Sequence, residues 1–73
     1  MVARTFYGAS TTIRCFTYDP AARTLSITFS GGLIHDYENI PQTVAWGLRG
    51  ASEAGDYYRS RIRNRFRPVA TYF

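Results

Sequence analysis

Five of the nine arginines in this 73-residue chain fall within one stretch, at Arg59, Arg61, Arg63, Arg65 and Arg67. A guanidinium stays charged at any ordinary pH. It holds five N–H donors in a planar fork, so it grips a phosphate or carboxylate through paired hydrogen bonds. On a helix, Arg59 and Arg63 stand one above the other on one flank, and Arg61 and Arg65 do the same on the opposite flank. Arg67 sits beyond the last turn. Two such ladders suit phosphates spaced along a nucleic-acid strand, or those of a compact nucleotide. The plainer account is a solvated helix whose last cations favour the carbonyl end of the helix dipole. Five arginines in nine residues exceed what that dipole asks for.

Trp46 is the second candidate. On an ideal helix it lies about 160–200° around from Val44 and Leu48, so it is expected to face away from the core beside Arg49, Gly50 and Glu53. An exposed indole next to an arginine offers a flat platform for a base or for another subunit. Plain edge packing is a third account. Tyr57, also off the apolar stripe, is a second such ring. The candidate ligand or nucleic-acid contacts are therefore Arg49, Trp46, Tyr57, Arg59, Arg61, Arg63, Arg65 and Arg67.

Catalytic chemistry finds little support. His35 and Asp36 are adjacent, but neighbours on a strand point to opposite faces and cannot orient one another. Cys15 is alone, so it has no disulfide partner in the chain, and a lone strand cysteine is usually a small core filler. With a single histidine and a single cysteine, a dedicated zinc site lacks ligands. Gly31-Gly32 reads as a hairpin turn without a phosphate-loop pattern. No cofactor, metal or catalytic set is expected.

The elements that position these residues follow from periodicity. Residues 1–10 read as a loose lead-in. Thr11 to Tyr18 is rich in β-branched and aromatic residues and ends at Asp19-Pro20, a turn signal. Its alternation breaks near Cys15, which predicts a bulge or burial on both faces. Thr24 to Ser30 alternates cleanly, with Leu25, Ile27 and Phe29 on one face. Gly31-Gly32 supplies a tight turn, and Leu33 to Glu38 returns as a third strand. Pro41 suits a helix start. Val44, Leu48 and Ala51 share one face of the first helix, Gly55 is expected to break it, and Asp56 to cap the next. Tyr58, Ile62 and Phe66 form the stripe of the second helix. Pro68 ends it, leaving residues 68–73 as an extended tail able to pair with a strand edge. The expectation is one α+β domain over residues 1–73: an antiparallel three-stranded β-meander followed by two short α-helices packed on one face.

Composition sets the class. The net charge is +4, lysine is absent and aromatics make up 16% of residues. Arginine-only usage also arises from a GC-rich genome, so position tells more than identity. So many rings exceed the needs of a thin core, which places some at the surface or in a homo-oligomer interface. No apolar run approaches the roughly 20 residues of a membrane span, and no signal peptide is evident, so a cytoplasmic protein is expected.

The residues also resemble a known family. Ser10-Thr11-Thr12-Ile13, Tyr18-Asp19, Leu25-Ser26-Ile27-Thr28-Phe29, Tyr37, Ile40-Pro41, Val44, Leu48, Ala51, Ser52, Gly55, Tyr58 and Ile62-Arg63 are similar to the signature of the KTSC domain. That family is named for its place at the C-terminus of some lysyl-tRNA synthetases. The resemblance implies three strands followed by two helices, and by analogy a nucleic-acid or nucleotide contact. Two positions depart from it: Trp46 where the family usually has a polar residue, and Arg59 where it commonly has Asn.

Three functions fit. The first is a non-enzymatic RNA- or nucleotide-binding module, with Arg59, Arg63 and Arg67 on phosphates and Trp46 or Tyr57 stacking. The second resembles the small proteins with which phages trap host nucleotide signals. There a cyclic or phosphorylated nucleotide would lie between arginines of subunits that meet through Trp46 or the sheet edge. The third is a protein-interaction module in which the arginines confer only solubility.

Overall fold

The alternation in the Thr24–Ser30 segment is realised as a central strand of a five-stranded antiparallel sheet. The computed structural model describes residues 4–7 and 12–72. The strands are β1 (Arg4–Tyr7), β2 (Ile13–Asp19), β3 (Thr24–Phe29), β4 (Ile34–Tyr37) and β5 (Ala70–Tyr72), laid side by side in chain order. Three strands were expected and five are present among the described residues. Part of the lead-in, residues 4–7, pairs with β2 as an edge strand, with Phe6 opposite Phe16. The tail pairs with β4 at the other edge, with Thr71 opposite His35. Both additions are short and take their order from the neighbour's backbone, which supplies hydrogen bonds that an isolated short strand lacks.

The register explains the two faces. Ile13, Phe16, Tyr18, Leu25, Ile27 and Tyr37 point to the helix-covered face and are buried. Cys15, Thr17, Ser26 and Thr28 point to the other. The pairing slips between Ile13 and Cys15, the bulge that the broken alternation calls for. The β2–β3 turn is closed by Asp19, whose Oδ1 accepts from the Ala21 and Ala22 amides at 3.0 and 3.3 Å. Arg23 follows with φ 58°, in the left-handed region.

Two helical pieces cover the buried face. Helix α1 (Gln42–Gly50) follows Pro41 and buries Ala45 and Leu48. Helix α2 (Ala54–Tyr57) runs directly into a π-helix over Tyr58–Arg63, which buries Tyr58 and Ile62. The break between helices falls at Ala51–Glu53, not at Gly55. Gly55 lies inside α2 and is buried, and Asp56 sits in the first turn without capping it. The core is fixed by polar contacts as well as packing: the Tyr18 hydroxyl donates to the Ile40 carbonyl at 2.7 Å. The hydroxyls of Tyr37 and Tyr58 meet at 2.8 Å.

Candidate nucleic-acid interface

Where the π-helix crosses the ends of β3 and β4, a cleft of about 350 Å³ opens to solvent. Arg59 and Arg63 line one side of it, and Thr12, Phe29, Leu33, His35 and Tyr58 the rest. The helical spacing of four places both guanidiniums on one flank. Between them and the core lies Tyr58, which is buried. A π-helix bonds i to i+5, and such wide turns recur at functional sites.

The aromatic lining is a set of rings in mutual contact. Phe29 meets Tyr58 edge-on at 5.2 Å between ring centres and His35 edge-on at 5.3 Å. His35 lies nearly parallel to Tyr37, 6.2 Å away, and its Nδ1 is 3.5 Å from the Thr71 hydroxyl. Burial first, and then the hydrogen bond with Tyr58, hold the Tyr37 phenol well above its ordinary value. It therefore stays neutral near pH 7 and adds no anion beneath the arginines. Arg59 forms an ion pair with Asp56 on the preceding turn. Both side chains are more than half exposed, so the pair is weak and leaves Arg59 available to a phosphate.

The other expected contacts are scattered. Arg61, Arg65 and Arg67 are exposed and do not line this cleft. Trp46 does not face away from the core. It is half-buried, edge-on to Tyr18 at 5.7 Å and to Phe6 at 6.2 Å. The reason is β1, which extends the sheet beneath α1 and gives the indole apolar surface to cover. Arg49 lies over the Phe6 ring at 5.2 Å, a cation–π contact on that same edge. Tyr57 is not a free platform either. Its ring fills a notch over Gly47, and its hydroxyl donates to the Val44 carbonyl at 3.0 Å. Sequence reasoning missed Thr12, Phe29 and His35 as partners of the arginines. The strand register carried that signal, since Phe29 and His35 share the parity of Ile27 and Tyr37.

His35 and Asp36 do point to opposite faces. Asp36 lines a second cavity, about 470 Å³, on the sheet face away from the helices. No helix among the described residues is long and apolar enough to cross a membrane.

The sequence model of the KTSC domain matches residues 9–66. The chain belongs to the KTSC domain family. The matched span of this KTSC chain runs from before β2 to just past the π-helix, so it contains Arg59 and Arg63 but neither β1 nor β5. A lysine–tRNA ligase of Nostoc sp. is 33% identical over 55 residues, which are 75% of this chain and 10% of that enzyme. The KTSC chain thus spans about a tenth of the length of that relative. A protein of Tsukamurella paurometabola is 34% identical over 61 residues, 84% of this chain and 91% of that one. The crystal structure of a KTSC domain protein from Yersinia pestis has the same fold. It superposes with a TM-score of 0.80 at 24% identity, covering 94% of this chain and 100% of that one.

Proposed function

We propose that this KTSC domain is a non-enzymatic module that binds single-stranded RNA. In this reading Arg59 and Arg63 hold a phosphate and the adjoining base enters the cleft against Phe29, His35 and Tyr58. The observation that carries it is the meeting of two guanidiniums and three rings in one recess. Arginine forks neutralise phosphate, and ring faces and edges accept an unstacked base without demanding its identity. At about 350 Å³ the recess matches one nucleotide and is too small for a base pair, which favours a single strand. The relation to lysine–tRNA ligases agrees with an RNA ligand.

Fluorescence anisotropy of a labelled single-stranded RNA, titrated across salt concentrations, tests the reading. Affinity should fall steeply with salt. Replacing Arg59 and Arg63 by Glu should collapse binding, and neutralising just those two, which share one phosphate, should lower the salt slope by about 0.7. Replacing Arg61 and Arg65 by Gln should leave most of the binding. Equal losses from both pairs would sink the cleft as the site.

The size of the recess also favours a second reading, in which the same residues sequester a free phosphorylated or cyclic nucleotide within a homo-oligomer. Native mass spectrometry of gently purified protein separates the two. A nucleotide retained at fixed stoichiometry with a definite subunit count supports sequestration, and an empty protein that still binds RNA removes it.

A further inference from the structure

The sheet face away from the helices has the opposite chemistry. Three of the chain's five carboxylates, Asp19, Asp36 and Glu38, line its cavity of about 470 Å³, and no arginine among the described side chains does. Asp36 uses Oδ2 to accept from the Tyr72 hydroxyl at 2.9 Å. Its Oδ1 is buried and has no hydrogen-bond partner among the described residues. A buried acceptor left in this state calls for a donor. The rim is apolar, formed by Val69 and Tyr72, the large hydrophobic side chains left exposed among the described residues. An apolar wall leading to carboxylates, with the hydroxyls of Thr17, Thr24 and Ser26 between them, suits a long side chain that ends in donors. Arginine is such a side chain, with methylenes to lie along Val69 and Tyr72 and a guanidinium to reach the carboxylates.

The chain itself carries the complement. Arg61, Arg65 and Arg67 are exposed and line neither cavity. The one ion pair among the described residues is that of Arg59 with Asp56. We propose that the open-face cavity docks the exposed Arg61 and Arg65 of a second copy of this chain, at and just beyond the C-terminal end of its π-helix. Two open faces laid together would bring carboxylates against carboxylates, so like patches repel and unlike patches meet. The contact is therefore heterologous, head to tail, and each end of a dimer keeps one unused patch for further growth. Arg59 and Arg63 take no part, so the inference stands apart from the RNA reading.

Sedimentation velocity of the full chain, at rising concentration in low and high salt, tests it. The wild type should grow past a dimer in low salt and return to monomer in high salt. Asp36→Asn with Glu38→Gln should lose association, and so should Arg61→Gln with Arg65→Gln, whose exposed side chains leave folding intact. Mixed in equal amounts, the two variants should form a dimer and stop there, because one intact cavity and one intact flank remain between them. A wild type that stays monomeric in low salt overturns the proposal. So does association that survives the arginine substitutions, or a mixture that yields no dimer.

Discussion

Replacing Gly47 by alanine puts a methyl group where the Tyr57 ring already sits. The new Cβ would lie 2.1 Å from Tyr57 Oη, 2.6 Å from Cζ and 2.9 Å from Cε2, whereas ordinary contact begins near 3.4 Å. The ring must withdraw by about 1.3 Å, which breaks the 3.0 Å hydrogen bond to the Val44 carbonyl. Overpacking of this kind costs about 1–3 kcal/mol, and the lost hydrogen bond about 0.5–1.5 kcal/mol. Alanine offsets about 1 kcal/mol through its helix propensity. The net loss is about 0.5–3.5 kcal/mol, with Tm falling by about 4–8 °C for each kcal/mol in a domain of this size. Urea denaturation of Gly47→Ala, Tyr57→Ala and the double variant isolates the cause. With the ring removed, Gly47→Ala should become neutral or stabilising by up to about 1 kcal/mol. The same loss in both backgrounds would refute the notch as the reason for glycine.

Ile62, wholly buried on the inner side of the π-helix, should cost about 2–5 kcal/mol when cut to alanine, read by chemical denaturation. RNA affinity should fall with it, because Arg59 and Arg63 lose their footing. Arg23 sits at φ 58°, where a side chain crowds the backbone, so Arg23→Gly should raise the calorimetric Tm by relieving about 1–2 kcal/mol. The Tyr37 phenol is raised in the folded state by burial and then by its bond to Tyr58, so folding favours its protonated form. Its contribution is complete below the unfolded phenol's pKa of about 10 and is lost as pH rises beyond it. Thermal melts should hold level through neutral pH and fall above about pH 10. Tyr37→Phe should show a shallower decline.

The sequence displayed β3, the glycine hairpin and the helical stripes because each carries a complete local period. The edge strands were hidden for a physical reason. β1 is four residues long, too short for a period of its own, and exists through pairing with β2. Missing it displaced the reading of Trp46, whose direction on a helical wheel says nothing about a sheet extended beneath it. Tyr57 was misread similarly, since the notch that takes it is the absence of a side chain at Gly47. The Arg59–Arg63 pair was legible from spacing alone. Its aromatic company was not, because Phe29 and His35 come from strands far away in the chain and meet the arginines only once the π-helix settles over them.

Strand order also governs how this domain transmits position. With β1 and β5 at opposite edges of a consecutive antiparallel sheet, a polypeptide that enters along one and leaves along the other is shifted sideways by four inter-strand gaps, about 19 Å. The first and last strands also run the same way, so entry and exit lie at opposite ends of the sheet. Polypeptide attached at the two ends is thus held on a diagonal, offset as by a crank and never doubled back side by side. Bridging directly from Tyr72 to Arg4 would take at least about seven extended residues. A circular permutant built with a shorter bridge has to surrender β1 or β5.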